Sequence, residues 1–329
     1  MIDVILINCF FGSPSEFGAS APPLGLGYLA SVLEREGISV EIVDPTPLGL
    51  SKDEVIQIVK RRDPIVIGLN CLTTFRHDTF DIAKRIKHEF TNSKIVIGGP
   101  HVAFTDVITL NKIPEIDAIV RGEGEFTLLD YIKTVSDEEK LSEILGLTFR
   151  KSNVIKRNVD RPLIKDLDSL PFPSYHLLPM DRYKTYDMDV PSEIRRMPQG
   201  SVMTSRGCPY NCIFCSSCNY WKRWFRARIP AKVVDEIEYL YNKFKLRYIR
   251  FFDDTFNIIP NRALEISENI RERRLDIVWR ALVRADGINE KLVKSFSKSG
   301  CFQLEVGVES GSPRILDVLN KKINLEQVK

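Results

Sequence analysis

The stretch SVMTSRGCPYNCIFCSSC, residues 201–218, contains the feature that decides the second half of the fold. Its strand-like start, Ser201–Ser205, leads into Cys208, Cys212 and Cys215 with the spacing C-x3-C-x2-C. Three thiolates in one short loop can hold three irons of a cubane [4Fe–4S] cluster and leave the fourth iron open for chemistry. We therefore predict these three cysteines as the metal ligands of an open cluster.

A fourth cysteine, Cys218, follows Cys215 after two residues, so the four thiols could instead close a zinc knot or a four-thiolate electron-transfer cluster. Paired C-x2-C zinc modules usually separate their two halves by a longer loop. We favour the open cluster, with Cys218 as a bystander, and keep the closed site as an alternative.

From residue 201 onward, short apolar runs alternate with amphipathic stretches, which predicts a βα array with catalytic residues at the carboxyl ends of its strands. Strands are predicted at Ser201–Ser205, Tyr248–Asp253, Val278–Arg284 and Phe302–Val308. Helices are predicted at about Ala231–Lys243, Asn261–Arg273, Asn289–Ser299 and Pro313–Asn320. The strand ends carry Asp253, Asp254, Arg284, Asp286 and Glu309.

The cysteine spacing, the aromatic Phe214 before the last cysteine and the preceding strand closely resemble the radical S-adenosylmethionine (SAM) enzymes. In that family the methionine part of SAM chelates the open iron, and an electron from the cluster yields a 5′-deoxyadenosyl radical. The resemblance implies SAM contacts at Phe214, Asp254, Arg284 and Glu309. It also implies a barrel of six βα units, of which residues 198–329 supply about four. We expect either a fragment of a longer protein or a second chain that covers the open barrel edge.

The first 135 residues show a βαβ rhythm that predicts a doubly wound, flavodoxin-like parallel sheet with helices on both faces. The predicted strands are Val4–Asn8, Ser39–Val43, Ile65–Asn70, Lys94–Gly98 and Ala118–Arg121. The predicted helices are about Leu24–Arg35, Lys52–Arg61, Thr79–Glu89 and Phe126–Lys133. Such sheets bind ligands at the carboxyl ends of their strands.

The loops at those strand ends are rich in glycine, which allows the backbone to approach a large ligand closely. Together with the segment PPLGLGYLASVLE at 22–34, they resemble the cobalamin-binding domain that precedes the barrel in B12-dependent radical SAM enzymes. The resemblance implies cobalamin contacts at Thr73, Thr74, Gly98, Gly99, Pro100, His101, Gly122, Glu123, Gly124 and Glu125.

Two local patterns qualify this interpretation. Many cobalamin proteins have D-x-H-x-x-G after the first strand, whereas Asn8–Gly12 and the loop through Ser13 and Pro14 contain no histidine. A cobalamin here would be base-off, and ligation by His77 or His101 is the alternative. Gly25–Ala30 matches the dinucleotide pattern G-x-G-x-x-A but does not directly follow the first strand, so we do not predict NAD binding.

Residues 136–197 are less regular and are predicted as a linker. Leu147–Lys151 and Val154–Arg157 flank Ser152-Asn153, which predicts a hairpin. Five prolines after residue 160 exclude a long helix there. The sequence thus predicts a connecting segment between domains at 1–135 and 198–329.

Composition limits the partners. The 329 residues contain 47 Lys plus Arg and 44 Asp plus Glu, and a net charge of +3 does not indicate nucleic acid or an anionic membrane. The basic, aromatic segment Trp221–Arg228 is locally compatible with nucleic acid, but we favour packing over the cluster. We expect no signal peptide, no membrane span of the required ~20 apolar residues, and a cytoplasmic, reducing location.

The resemblance implies a cobalamin-dependent radical SAM enzyme that transfers a methyl group to, or rearranges, an unactivated carbon of a small molecule. Its reductant would be a protein such as flavodoxin or ferredoxin. Two alternatives remain open. The N-terminal domain could be an empty docking module in a radical SAM enzyme, or the chain could be a non-catalytic iron-sulfur or zinc protein.

Overall fold

A computed structural model of the chain describes residues 2–12, 21–90, 92–137, 139–151 and 154–328. Ser13, Pro14 and the predicted hairpin turn Ser152-Asn153 lie outside the described residues. The chain forms two compact units, Met1–Ile164 with Leu170–Arg182, and Lys165–Ser169 with Tyr183–Lys329. A helix with the length and apolarity to cross a membrane does not occur in the described ranges.

The first unit is built on a seven-stranded sheet of order β2-β1-β3-β4-β5-β6-β7. Its strands are β1 (Val4–Ile7), β2 (Val40–Val43), β3 (Val66–Asn70), β4 (Lys94–Gly98), β5 (Ala118–Val120), β6 (Leu147–Lys151) and β7 (Val154–Arg157). The first five are parallel, and β6 and β7 are antiparallel. The predicted fold class, a doubly wound parallel sheet followed by a partial βα barrel, is confirmed.

The helices of this unit are α1 (Leu24–Arg35), α2 (Pro45–Leu48), α3 (Lys52–Arg62), α4 (Arg76–Glu89), α5 (Pro100–Lys112) and α6 (Glu125–Thr134). Helix α3 begins at a capping box, in which Ser51 and Glu54 satisfy each other's backbone N–H groups. The sequence patterns missed α5, which is rich in β-branched residues with low helix propensity and is kinked at Thr105.

The predicted hairpin pairs with the first sheet instead of lying in a separate linker. Strand β6 pairs antiparallel with β5, placing Leu147 opposite Val120, and β7 follows it at the edge. The compact unit therefore continues past the predicted boundary at residue 135. The physical reason is the exposed edge of β5, whose backbone groups need partners.

The second unit contains a parallel four-stranded sheet of order β13-β12-β11-β8 and a two-stranded antiparallel ribbon. Its strands are β8 (Gln199–Val202), β9 (Ser205–Arg206), β10 (Arg226–Ala227), β11 (Tyr248–Phe251), β12 (Val278–Val283) and β13 (Cys301–Val306). Its helices are α7 (Ser192–Arg195), α8 (Ser217–Tyr220), α9 (Pro230–Phe244), α10 (Pro260–Glu272), α11 (Glu290–Lys298) and α12 (Pro313–Val318).

An aromatic cluster forms the core between this sheet and its helices. Trp279 of β12 is fully buried and packs edge-on against Phe251 and Phe296, at 5.3 and 5.1 Å between ring centroids. Its indole N–H donates to the Ser299 carbonyl at 2.9 Å, so its polar atom is also satisfied. This core anchors the strands whose carboxyl ends carry the candidate site.

Candidate functional site

The loop that carries the cysteines begins at a backbone position that requires glycine. Gly207 has φ +87°, and a Cβ there would lie 3.1 Å from the Cβ of Trp221, with the Trp224 carbonyl oxygen closer still. On either side of the loop, β9 and β10 pair so that Arg206 lies opposite Arg226. The glycine thus lets the loop leave the ribbon beside its own return strand.

Two neighbouring carboxylates after β11 hold this loop in place. Asp253 is buried and accepts hydrogen bonds from the backbone N–H groups of Thr204 and Ser205, at 2.7 and 2.9 Å. Asp254 accepts from the Ser217 hydroxyl at 2.8 Å and from the Gly207 N–H. Burial raises the pKa of both carboxyls. Both side chains therefore brace the cysteine loop.

Arg284, which follows β12, also supports the loop. Its guanidinium lies 3.5 Å from the ring centroid of Tyr210, which stands between the first two cysteines. The same guanidinium donates to both carboxylate oxygens of Asp286, at 3.0 and 2.9 Å, and to the Lys321 carbonyl at 3.0 Å. These contacts occupy much of the donor capacity of Arg284 and fix the loop to the C-terminal segment.

That C-terminal segment contacts the loop through its backbone. The Ile213 N–H donates to the Leu319 carbonyl at 3.1 Å, and the Asn320 side chain donates to the Asn211 carbonyl at 2.8 Å. Residues beyond α12 thus fix the stretch between Cys208 and Cys215, which local propensity alone would leave open.

The predicted residues of this unit gather around one cavity of about 420 Å³. Its lining includes Cys208, Cys212 and Cys215 together with Phe214, Asp254, Arg284 and Glu309. The structure therefore brings together all the cluster and SAM positions predicted from the sequence. The assignment of a ligand to each of them remains a prediction.

The three cysteine side chains line one cavity, and thiolates are the usual ligands of iron–sulfur clusters. Among the described residues, no three His, Cys, Asp or Glu side chains lie close enough to hold a single metal ion. The Cys218 Sγ lies 2.9 Å from the Cys215 carbonyl oxygen, as a thiol that donates to the backbone. Burial raises the pKa of the Cys208 thiol, which must lose its proton to bind iron.

Glu309 has an unusual backbone conformation at the rim of the cavity. Its φ of +68° lies in the left-handed region, which is uncommon for a residue other than glycine and is frequent at functional sites. Its carboxylate is paired with the buried Lys321 Nζ at 2.9 Å, and that ammonium lies 5.8 Å from the ring centroid of Phe214. Lys321 is a cavity residue that the sequence patterns missed.

Three further charged residues of the cavity were also missed. Arg250, Arg280 and Glu305 lie within β11, β12 and β13, and all three line the cavity. A sequence signal was present, because buried parallel strands normally read as continuous apolar runs. Single arginines within YIRF and VWRALV depart from that pattern.

The basic, aromatic segment Trp221–Arg228 packs beside the cysteine loop. The Arg226 guanidinium lies between the rings of Trp221 and Trp224, at 5.3 and 5.2 Å from their centroids. Arg226 is almost fully buried. The charge and the aromatic rings of this segment therefore contribute to internal packing.

In the first unit, the turn from β4 into α5 lies against the end of β3. Gly99 has φ +117°, and a Cβ there would lie 2.7 Å from the Cys71 carbonyl oxygen. The His101 N–H donates to the same carbonyl at 3.2 Å, and its ring Nδ1 lies 3.2 Å from the Thr73 hydroxyl. The requirement for glycine at 99 thus has a packing cause. Burial lowers the pKa of His101, which favours its neutral form.

The remaining predicted cobalamin residues occupy the ends of β3, β4 and β5. Thr74 lies in a short exposed turn after β3, and Gly122 follows β5 with φ +70°. The Glu123 carboxylate accepts from the Ile164 N–H at 2.6 Å. Residues predicted in loops but found in the first turns of helices are Pro100, His101 and Glu125. The loops after β4 and β5 are therefore shorter than their glycine content indicates, because the helices begin within them.

Comparison with known proteins identifies two families along the chain. The family described as the B12 binding domain matches residues 15–132, and the Radical SAM superfamily matches residues 202–329. An uncharacterized methyltransferase of Pyrococcus horikoshii is 40% identical over 311 residues, which are 94% of this chain and 65% of that protein. The anaerobic magnesium-protoporphyrin IX monomethyl ester cyclase of Rubrivivax gelatinosus is 30% identical, over 96% of this chain and 56% of the enzyme. The chain thus spans less than two thirds of the length of these relatives.

Two solved structures superpose on nearly the whole chain. The cobalamin-dependent SAM radical enzyme OxsB, solved with aqua-cobalamin and SAM bound, superposes with a TM-score of 0.79 at 26% identity, over 99% of this chain and 46% of that one. The radical SAM methyltransferase TsrM from Kitasatospora setae, with cobalamin and a [4Fe–4S] cluster bound, has a TM-score of 0.79 over 100% of this chain and 64% of its own. At 20% identity, TsrM supports the fold alone.

Proposed function

The chain belongs to the radical SAM superfamily and carries an N-terminal B12-binding domain, and from this premise we propose a cobalamin-dependent radical SAM methyltransferase that acts on a small molecule. One observation carries the proposal. The three cysteines and the four strand-end or loop residues predicted for SAM surround a single cavity. The matched region is 65% of the 40% identical relative, so the reaction is proposed for the whole protein and not for this chain alone.

In this proposal, Cys208, Cys212 and Cys215 hold the cluster. When bound, the cluster and SAM supply a 5′-deoxyadenosyl radical that removes hydrogen from an unactivated carbon. Asp254 and Arg284 act as positioning residues, because their polar atoms bond to the cysteine loop or to the segment that supports it. They hold the loop that carries the three thiols.

The SAM molecule would meet the rim formed by Phe214, Glu309 and Lys321. Phe214 is half exposed and offers an apolar surface next to the last cysteine. The Glu309 carboxylate can accept hydrogen bonds from ribose hydroxyls, and the Lys321 ammonium can pair with a carboxylate. The ion pair between them keeps both groups ordered at the cavity mouth.

Cobalamin, when bound in the first unit, supplies a carrier for the methyl group. We assign its contacts to Thr73, Thr74, residues 98–101 and residues 122–125, at the carboxyl ends of the parallel strands. The segment after β1, Asn8–Gly12, has no histidine, so this segment would not supply a histidine ligand to a bound cobalamin. The neutral ring of His101, held through Nδ1 by Thr73, is suited to hydrogen bonding.

Methyl transfer is favoured over other outcomes by the 40% identical relative, which is described as a methyltransferase. Ring formation is the second candidate, because the 30% identical relative is described as a cyclase. Both reactions use the same radical step. We further propose a flavodoxin or ferredoxin as the reductant and the cytoplasm as the location, since thiolate-held clusters require a reducing compartment.

The test is anaerobic reconstitution with iron and sulfide, followed by EPR of the reduced protein with and without SAM. A [4Fe–4S]⁺ signal that changes when SAM is added supports an open iron at Cys208, Cys212 and Cys215. A signal that is indifferent to SAM contradicts the proposal for this chain. Cobalt content after expression with ample cobalamin tests the first unit, and its absence would favour an empty docking domain.

The closed-site alternative has its own control. Cys218→Ser should leave the iron content unchanged, because its Sγ contacts backbone carbonyl groups. Cys215→Ser should remove most of the iron. Equal losses in the two variants would indicate that Cys218 closes the site, and the catalytic proposal would then be wrong.

A further inference from the structure

One wall of the cavity in the second unit is charged, although it is formed by the middle of a parallel sheet. Arg250 of β11 lies directly opposite Arg280 of β12, and Arg280 lies opposite Gln303 of β13. Since alternate residues of a strand face the same side, Glu305 lies on this face too, two positions after Gln303. Arg250, Arg280 and Glu305 all line the cavity that also contains the cysteines.

This arrangement places two guanidinium groups side by side on neighbouring strands. Like charges directly opposite each other on neighbouring strands repel, and the Arg280 side chain is only 3% exposed. Arg280 is compensated by Asp187 at 2.8 Å and by Glu305 at 3.3 Å. Even so, its Nε is buried and has no hydrogen-bond partner among the described residues. A buried donor without a protein partner is free to bond to an acceptor from outside the chain.

Arg250 is compensated less than Arg280. Its closest carboxylate is Glu305, with Nη2 and Oε2 4.0 Å apart, which is too long for a hydrogen bond. Within the described part of the chain its guanidinium donates to no other group, and it is about one third exposed toward the cavity. Burial and the neighbouring Arg280 charge lower its pKa, and the nearby carboxylates only partly offset them. The Phe252 ring, 5.0 Å from the guanidinium carbon, and the distant Glu305 carboxylate only partly compensate its charge, so Arg250 presents open donors to the cavity.

The wall formed by Arg250 and Arg280 is separate from the part of the cavity that supports the cysteine loop. Asp253 bonds to the segment just before that loop and Asp254 to the loop itself, and both lie beyond the end of β11, three and four residues after Arg250. Arg250 thus lies within the strand, before the strand end that carries Asp254, which is proposed to support the cysteine loop.

We propose that this wall binds an oxyanion of the organic substrate, either a carboxylate or a phosphonate or phosphate group. Arg250 donates directly to it, and Arg280, held by Asp187, fixes the depth of the anion. Guanidinium groups suit this role because they present several donors in one plane. The inference rests on the proposed function, since it takes the cavity beside the cysteines as the place of the substrate.

The test uses acetate and methylphosphonate as probes, and acetamide as a neutral probe of nearly the same shape as acetate. Binding to the reconstituted protein is measured by ligand-observed NMR. We expect at least one anion to bind and acetamide not to bind. Preference for acetate or for methylphosphonate distinguishes a carboxylate substrate from a phosphorus oxyanion. Equal binding of acetate and acetamide, or no anion binding, overturns the proposal.

Two variants are expected to change the affinity for the anion in opposite directions. Arg250→Gln should weaken binding of the anion by about tenfold or more, because a charged hydrogen bond is lost. Glu305→Gln should strengthen it, because a repelling carboxylate is removed. Arg271→Gln removes an exposed arginine of α10 outside the cavity, so the affinity for the anion should be unchanged. If Arg250→Gln does not fold, Arg250→Lys is used, and a several-fold loss is expected.

SAM binding to the same samples distinguishes failure of the anion site from failure of the proposed function. If Arg250→Gln loses the anion but keeps wild-type SAM affinity and a SAM-responsive EPR signal, the substrate wall is supported. If it loses SAM affinity instead, Arg250 is a SAM contact and the proposal is overturned. If anion binding behaves as expected but no cluster responds to SAM, the proposed function fails while the anion site stands.

Discussion

The backbone at Gly207 offers the sharpest test of how the cysteine loop is built. In Gly207→Ala, the new methyl group would lie 3.1 Å from the Trp221 Cβ and closer to the Trp224 carbonyl oxygen. The positive φ of +87° destabilises alanine by about 1–2 kcal/mol, and displacement of the facing strand adds roughly 1–3 kcal/mol. A total near 3 kcal/mol lowers the population of the loop conformation seen in the structure by about 100-fold.

The assay measures iron per chain after anaerobic reconstitution, together with the free energy of unfolding in denaturant. Gly311→Ala is the matched control in the same unit, because nothing lies within 4 Å of its Cβ position and its φ is not positive. We expect it to stay within about 0.5 kcal/mol of wild type. Full iron content and unchanged stability in Gly207→Ala would refute the proposed loop geometry.

Other predictions concern the supports of the site. Iron content should fall in the order wild type, Asp254→Asn, Asp254→Ala, because asparagine keeps an acceptor for Ser217 and alanine keeps none; the reverse order would contradict a bracing role. Trp279→Ala should lower the free energy of unfolding by about 3–5 kcal/mol, and a loss below 1 kcal/mol would show that the aromatic cluster is not the core. The hydrogen bond from Arg280 lowers the pKa of Asp187, so the unfolded chain binds more protons and stability should fall as pH drops below about 4. Asp187→Asn should show a shallower fall in melting temperature between pH 5 and pH 3, and equal slopes would argue against the pair.

The limits of prediction in the first unit follow from the range of the interactions. Apolar periodicity is local, so β1 to β5 were located to within one or two residues. Helix α5 was missed because its β-branched residues have low intrinsic helix propensity, and packing against the sheet overrides that preference. The pairing of β6 with β5 depends on an open sheet edge, which no local pattern reveals.

The candidate site likewise combines features set by local sequence with contacts between distant segments. The spacing of Cys208, Cys212 and Cys215 is a property of one short loop, so the sequence alone predicts three thiols placed together. The resemblance added Asp254, Arg284 and Glu309 by their position at strand ends, and the structure places them around the same cavity. Their hydrogen-bond partners, which make the first two supports of the loop, come from segments distant in sequence.

The sequence by itself determined the alternation of strands and helices, the two-part order of the chain and the cluster-ligand spacing. These depend on intrinsic side-chain polarity and on distances along the chain. Only the tertiary structure decided that Arg250 stands opposite Arg280, and that Asp187 and Glu305 approach them. Strand register sets these contacts, and the register results from the packing of the whole sheet on its helices. The charged wall of the cavity is therefore visible only after the chain has folded.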